Sequence, residues 1–208
     1  MNNKNIWGTY CVCGNELFEY VDSHPWDDEA EFKTIIKCEK CGRTTIVNRE
    51  IAEEYYNNKI YECFSSVKGN VIEIGCGGGF LTDFICNKEN VDSILAIDID
   101  DELEKENNKI KFVKMDLNDI NESIFDKKYD YLICRDVLMY LDDIEKVISV
   151  LSNVSSKVCL LNWHNENHRN CINKTRPEDI FGIVKKYYKN VVIEYPSFYK
   201  CGYFIYNK

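Results

Sequence analysis

The sequence predicts an α/β fold: a doubly wound, mostly parallel seven-stranded sheet with an antiparallel last strand, preceded by a small N-terminal β module. Three observations lead to this prediction. Strand-like and helical segments alternate from Asn70 onward, which is typical of a parallel sheet with helices on both faces. A glycine-rich turn joins the first of these strands to a helix. Only residues 196–201 separate the last two strands, and so short a connection indicates an antiparallel hairpin.

Length and composition limit the class of protein. The chain has 208 residues, is 45% hydrophobic and carries a formal net charge of -9, which suits one ordinary domain with a small appendage. No apolar run approaches the ~20 residues that span a bilayer, and the N-terminus lacks the apolar stretch of a signal peptide. We therefore expect a cytoplasmic protein with no membrane partner. The acidic balance argues against a nucleic-acid partner, because such binding usually needs a basic face.

Two cysteine pairs mark the N-terminal module. Cys11 and Cys13 form one pair and Cys38 and Cys41 the other, each beside strand-like sequence. Two pairs on two hairpin tips can supply four thiolates to one tetrahedral Zn²⁺, and the metal would supply folding energy that so short a segment lacks. The pattern resembles a zinc ribbon, with C-x-C in place of the usual C-x-x-C at the first pair. His24 as a substitute ligand, and unrelated reduced cysteines, remain alternatives.

Alternation and periodicity predict the elements of the N-terminal part. Alternating residues predict three strands, and apolar residues three to five positions apart predict a helix that leads to the main domain. The strands are expected at Leu17–Val21, Phe32–Lys37 and Thr44–Val47, and the helix is marked by Ile51, Tyr55, Ile60 and Phe64. We therefore divide the chain into a zinc-ribbon-like module at 1–49, a linker helix at 50–67 and the main domain at 68–208.

The main domain alternates strands with helices. Its strands are predicted at Val71–Gly75, Ile94–Asp98, Lys111–Asp116, Tyr129–Arg135, Lys157–Trp163, Val191–Tyr195 and Gly202–Tyr206. Its helices are predicted at Phe80–Asn87, near Glu102–Asn107, at Asp142–Ser152 and at Pro177–Lys189. Thr175 and Glu178 have the spacing of a capping box before the last helix, and Pro177 fits its first turn.

A glycine turn within Val71–Phe80 lies directly between a buried strand and a helix. Backbone without Cβ atoms can press against a ligand, so a parallel sheet builds a nucleotide pocket at this point. Asp98 ends the next strand, where its carboxylate can accept hydrogen bonds from both hydroxyls of a ribose. NAD would require a third glycine at the position of Phe80, so a nicotinamide enzyme is disfavoured.

Four landmarks in this order resemble the class I methyltransferases that use S-adenosylmethionine. They are Glu73-Ile-Gly75-Cys-Gly77-Gly-Gly79, Asp98, Met115-Asp116-Leu117 and Tyr129–Cys134. The resemblance covers residues 68–208 and implies S-adenosylmethionine as the cofactor. It implies cofactor contacts from Glu73, Gly75, Cys76, Gly77, Gly79, Asp98, Ile99, Asp116, Leu117 and Cys134.

The polar groups around this turn can each meet one part of the cofactor. Backbone N–H groups at the turn and the helix start can meet its carboxylate, Asp98 its ribose, and Asp116 its adenine. Glu73 either orders the glycine loop or contacts the ammonium group. Strand-end capping is the alternative role for Asp98 and Asp116.

The methyl acceptor is expected beyond the ends of the fourth and fifth strands. His164 and His168 follow the fifth strand, and histidine titrates near neutral pH, as a general base must. We predict His164 and Asp136 as the catalytic residues. The acceptor pocket is predicted to be lined by Arg135, Tyr140, His168 and Arg169. Solvated loop histidines, and Asp136 as the cap of the following helix, remain alternatives.

The loop after the fourth strand bears on the acceptor. It lacks the [D/N]-P-P-Y motif of methyltransferases that act on exocyclic amines, and it resembles the V-L-x-x-L-x-D loop of those acting on sugars, lipids and metabolites. We therefore predict methylation of O or N of a small molecule, such as a saccharide or a natural-product-like metabolite. The alternatives are an RNA- or protein-modifying methyltransferase that docks through the zinc module, and a non-catalytic cofactor-binding partner protein.

Overall fold

The computed structural model describes residues 19–20, 34–38, 40–47, 57–100, 103, 107–163, 172–196 and 202–208. The chain divides into two units, residues 1–62 with 197–200, and residues 63–196 with 201–208. Several predictions fall outside the described residues: Cys11, Cys13, His24, His164, His168, Arg169 and most of the helix near Glu102–Asn107.

The first unit contains a three-stranded antiparallel sheet in the order β1-β2-β3. Its strands are β1 (Glu19–Tyr20), β2 (Thr34–Lys37) and β3 (Thr44–Val47), which fall within the predicted strands. A tight turn joins β2 to β3: the Gly42 N–H donates to the Cys38 carbonyl at 2.8 Å, and the Cys38 N–H donates to the Arg43 carbonyl at 2.9 Å. Residues 57–63 are helical (α1), within the predicted linker helix.

The second unit is built on a seven-stranded sheet in the order β6-β5-β4-β7-β8-β10-β9. Its strands are β4 (Gly69–Ile74), β5 (Val91–Asp98), β6 (Ile110–Lys114), β7 (Tyr129–Arg135), β8 (Ser155–Trp163), β9 (Val191–Glu194) and β10 (Gly202–Asn207). Strands β4 to β8 pair in parallel, and β10 is antiparallel to both β8 and β9. The predicted sheet with an antiparallel last strand is confirmed; β10 lies inside the sheet, however, and β9 forms the edge.

Three helices cover this sheet within the described residues: α2 (Phe80–Cys86), α3 (Ile144–Ser152) and α4 (Pro177–Tyr187). Helix α3 begins after Asp143, whose carboxylate accepts from the Lys146 N–H at 2.9 Å. Its apolar residues recur at helical spacing and are buried against the sheet: Ile144, Val147, Ile148 and Leu151. No helix among the described residues is long and apolar enough to cross a membrane.

The predicted capping box before α4 is wrong. Pro177 occupies the first turn as expected, but Arg176 is the N-cap residue and no side chain caps the helix. A residue before proline is pushed into extended backbone, and Arg176 accordingly has φ -68° and ψ 152°. The helix therefore begins one residue later than the spacing implied. The Thr175 hydroxyl hydrogen-bonds the Asn173 side chain instead.

Candidate active site

The carboxyl ends of the central parallel strands bring the predicted cofactor residues to one edge of the sheet. Ile74 at the end of β4 pairs with Ile97 of β5 and with Cys134 of β7. The chain leaves β4 for β5 on one side and later places β7 on the other, which is the switch point where open α/β sheets form their ligand crevice. The residues that follow these pairs, Gly75, Asp98 and Arg135, are therefore neighbours at the crevice.

The glycine turn after β4 is held tightly in place. Gly75 has φ +68°, and a Cβ atom placed on it would lie 1.9 Å from Cγ2 of Val137 in the loop after β7. The N–H groups of Gly75 and Cys76 both donate to the Ile97 carbonyl, at 2.7 and 3.3 Å, and the Gly79 N–H donates to the Cys76 carbonyl at 2.9 Å. The turn is thus fixed to β5 by hydrogen bonds and to the β7 loop by packing.

Asp98 joins the turn to the end of β5. Its Oδ2 accepts from the Gly77 N–H at 2.7 Å, and its Oδ1 accepts from the Asp100 N–H at 3.0 Å. Asp98 therefore caps the end of β5, which is the alternative role given for it above. Each carboxylate oxygen has a second lone pair, which is available to a ligand hydroxyl. The adjacent Ile99 is 56% exposed.

Glu73 lies beneath the turn, and its side chain is buried. The Thr82 hydroxyl of α2 donates to its Oε2 at 2.7 Å. Burial raises the pKa of Glu73 from its ordinary value of 4.5 to about 8, partly opposed by the Thr82 hydrogen bond, while the charge of Asp98 adds to the rise. The carboxyl is therefore mostly neutral at pH 7 and links β4 to α2. This geometry matches the first alternative given for Glu73, in which its side chain orders the glycine loop.

Asp116 and Leu117 shape the loop after β6. The Asp116 carboxylate accepts from the Asn118 N–H at 2.9 Å and caps the 3₁₀ turn Leu117–Asp119. Leu117 is buried in the core. Asp116 therefore caps this 3₁₀ turn, which is the alternative role given for it above.

At the end of β7, two neighbouring side chains have very different surroundings. The Cys134 thiol is fully buried 3.7 Å from Oδ1 of Asn162, and burial raises its pKa, so only its backbone can reach a ligand. The Arg135 guanidinium lies over the Phe80 ring, 5.0 Å from its centroid, and its Nε is 3.5 Å from Oδ2 of Asp136.

Asp136 connects β7 to β8 and does not cap the following helical turn. Its Oδ1 accepts from the Trp163 N–H at 2.7 Å, and its own N–H donates to the Leu161 carbonyl at 3.0 Å. Its φ is +56°, which is uncommon for a residue with a side chain. The 3₁₀ turn Leu138–Tyr140 has Val137 as its N-cap, so the helix-cap alternative for Asp136 is wrong. The next predicted residue, Tyr140, is 45% exposed.

Asn162 is a structural residue of the site that the sequence analysis missed. It is completely buried, and its Oδ1 accepts from the N–H groups of Val137 and Leu138, both at 3.2 Å. It therefore fixes the loop that packs on Gly75. A single amide within the apolar run Val158–Trp163 was the available signal.

The second predicted cysteine pair lies on the β2–β3 turn, where Cys38 is buried and Cys41 is exposed. Within the described residues, no group of three or more histidine, cysteine or acidic side chains could hold a metal ion. Cys11 and Cys13, which would complete the predicted set, lie outside those residues.

Comparisons with known proteins relate this chain to methyltransferases. Residues 72–157 match a family model described as a methyltransferase domain. A ubiquinone biosynthesis O-methyltransferase of Rickettsia bellii is 23% identical over 181 residues, which cover 83% of this chain and 67% of that protein. A solved S-adenosylmethionine-dependent methyltransferase from Mesorhizobium loti has a TM-score of 0.57 at 10% identity and covers 74% of this chain and 98% of its own. The N-methyltransferase NodS of Bradyrhizobium japonicum, solved with S-adenosyl-L-homocysteine, has a TM-score of 0.52 at 13% identity over 74% of this chain and 84% of its own.

The matched domain includes the glycine turn, Asp98, Asp116 and the end of β7. The prediction of a methyltransferase is thereby confirmed for this domain. The solved structures share its fold. The roles predicted for individual residues are not tested by these comparisons.

Replacing Gly75 by alanine should disrupt the turn. The new Cβ would overlap Val137, and the positive φ adds backbone strain, so we expect the free energy of unfolding to fall by about 2 kcal/mol or more. Gly78→Ala is the matched control, because a Cβ there meets no atom within 4 Å and its φ is not positive. Urea unfolding should show a change of less than about 1 kcal/mol for the control. Equal stability of the two variants would contradict the packing described here.

Glu73→Gln should change how stability depends on pH. The folded-state pKa of about 8 lies above the ordinary 4.5, so the stability due to this proton is complete below pH 4.5 and is lost as pH rises toward 8. The slope from this group is about 1 kcal/mol per pH unit. Urea unfolding without ligand, from pH 5 to 8, should show the variant gaining stability over wild type as pH rises. Parallel profiles would mean that Glu73 is ionised throughout this range.

Proposed function

We propose that this methyltransferase transfers the methyl group of S-adenosylmethionine to an oxygen or nitrogen of a small molecule, such as a saccharide or a natural-product-like metabolite. The observation that carries the proposal is the switch-point crevice, where the glycine turn, Asp98 and the end of β7 meet. The Rickettsia bellii relative is named an O-methyltransferase of ubiquinone biosynthesis, which supports a small-molecule acceptor.

The crevice offers a separate group for each part of the cofactor. Asp98 would hold the ribose hydroxyls, and Ile99 with Asp116 and Leu117 would flank the adenine. The turn residues Gly75, Cys76, Gly77 and Gly79 would bring backbone against the ligand, ordered from below by Glu73, and the backbone of Cys134 would face the methionine end. When bound, S-adenosylmethionine supplies an electrophilic methyl carbon on its sulfonium.

This chain's own contribution to the chemistry is alignment and proton removal. The acceptor atom must lie in line with the methyl carbon, and an acceptor hydroxyl must lose its proton as the new bond forms. His164 and Asp136 are the proposed bases. Asp136 suits the role because its hydrogen bonds to β8 hold its carboxylate at the carboxyl edge of the sheet. The acceptor pocket is proposed to be lined by Tyr140, His168 and Arg169, together with Arg135 where the methionine end of the cofactor meets the acceptor.

A structural zinc ion is proposed for the N-terminal module, with Cys11, Cys13, Cys38 and Cys41 as ligands and His24 as a possible substitute for a weak ligand. The β2–β3 turn supports this, because its backbone hydrogen bonds at Gly42 and Cys38 give the tight, glycine-assisted bend that carries a cysteine pair. Four thiolates would leave no open position for substrate, so the metal would stabilise the module without taking part in catalysis.

Methyl transfer can be tested directly. With radiolabelled S-adenosylmethionine and fractions of metabolites, RNA and protein, we expect label in the metabolite fraction. Label in RNA or protein would favour a macromolecular acceptor, and cofactor binding without labelling would favour the non-catalytic alternative.

Asp98→Ala should weaken S-adenosylhomocysteine binding roughly 10- to 100-fold in calorimetry, because charge-assisted hydrogen bonds are lost. Unchanged affinity would remove Asp98 from the ribose site.

The zinc proposal predicts one zinc ion per chain in protein prepared without chelator. Elemental analysis should find it, and Cys38→Ser should lose most of it. Cys159→Ser in the sheet is the matched control, since Cys159 is buried in β8, and it should retain the metal. Zinc-free wild-type protein would rule out the ribbon.

A further inference from the structure

Four backbone N–H groups of the glycine turn already have acceptors within the protein. The N–H groups of Gly75 and Cys76 donate to Ile97, that of Gly77 to Asp98, and that of Gly79 to Cys76. The sequence analysis assigned the cofactor's carboxylate to N–H groups at this turn and at the helix start. Helix α2, which follows, has only seven residues, and a charged side-chain donor would hold a carboxylate more firmly than neutral backbone N–H groups.

Arg135 supplies such a donor at the same place. It follows Cys134, which pairs with Ile74, so it stands beside Gly75 at the carboxyl edge. Its guanidinium stacks on Phe80, the first residue after the turn, with 5.0 Å between the guanidinium carbon and the ring centroid. The cation is therefore fixed against the wall of the crevice next to the glycine turn.

The Arg135 side chain is partly desolvated. It is 22% exposed, and Oδ2 of Asp136 lies 3.5 Å from its Nε. Nε is buried and makes no hydrogen bond to the part of the chain that the structure describes. Asp136 is itself engaged with β8 through the Trp163 N–H. A buried donor without an acceptor is costly, and an arginine fork is suited to a carboxylate.

We propose that Arg135 binds the α-carboxylate of the amino-acid part of S-adenosylmethionine. This reassigns Arg135 from the acceptor pocket to the cofactor, and it rests on the proposed cofactor site. The alternative source of the same chemistry is an acidic group on the methyl acceptor. The stacked position beside Gly75 favours the cofactor, because the proposed cofactor site lies against the glycine turn.

A pair of ligands isolates the carboxylate. S-adenosylhomocysteine and 5′-methylthioadenosine share adenine, ribose and a thioether, but only the first carries the amino-acid group. Arg135→Gln should weaken S-adenosylhomocysteine binding roughly 10- to 100-fold in calorimetry and change 5′-methylthioadenosine binding less than about twofold. Arg135→Lys, which keeps the charge without the fork, should lie between wild type and Arg135→Gln. Lys111→Gln is the charge control, because Lys111 is near the start of β6 and pairs with Asp126.

Each other outcome overturns the proposal in a recognisable way. If Arg135→Gln leaves S-adenosylhomocysteine affinity unchanged, the cofactor's carboxylate is bound elsewhere; a raised KM for the acceptor alone would return Arg135 to the acceptor pocket. If both ligands weaken equally, Arg135 acts by supporting Phe80 and the turn. If wild type binds neither ligand, the cofactor site itself fails, and the proposed function fails with it.

Discussion

Val137 packs into the space where residue 75 would carry a side chain, and this close approach fixes the centre of the site. The contact joins the turn after β4 to the loop after β7. Each partner is held by a further strand: the turn by Ile97 and Asp98 of β5, and the Val137 loop by Asn162 of β8. Four adjacent strand ends are thereby locked to one another. A ligand placed against Gly75 meets groups from all four at fixed distances, which is the preorganisation that methyl transfer requires.

The charges around this centre are separated by burial. Glu73 lies under the turn and is mostly neutral at pH 7, because desolvation raises its pKa. Asp98 is closer to solvent and accepts two backbone N–H bonds. Arg135 stands on the opposite side of the turn with its stacking partner Phe80. The turn therefore has a neutral acid below it, an anion on its β5 side and a cation on its β7 side, and the proposed placement of the ribose and the carboxylate rests on this separation of charge.

The sequence predicted what depends on local pattern. Strand positions followed from apolar runs, and the glycine turn followed from a motif whose backbone angles only glycine tolerates easily. The place of β10 in the strand order was harder to predict, because its position between β8 and β9 depends on pairing across the sheet. The α4 cap failed because the restriction that Pro177 imposes on Arg176 outweighed the spacing of Thr175 and Glu178.

The same limit applies to the site. Asp98 could be placed from sequence because it ends a strand, whereas Asn162 could not, because its partners Val137 and Leu138 come from another strand end. Arg135 was predicted to line the acceptor pocket, but its stacking on Phe80 crosses from β7 to α2, and no sequence pattern encodes that contact. Side chains whose roles depend on two distant segments are the ones that local patterns miss.

Asp136 shows how this framework extends toward the acceptor. A non-glycine residue at φ +56° carries backbone strain of about 1 kcal/mol or more, so it persists only where surrounding contacts favour it. Here two hydrogen bonds to β8, at Leu161 and Trp163, hold both its backbone and its carboxylate. The backbone at Asp136 keeps a carboxylate at the crevice edge, one residue beyond Arg135, and the proposed role of Asp136 in proton removal depends on this position.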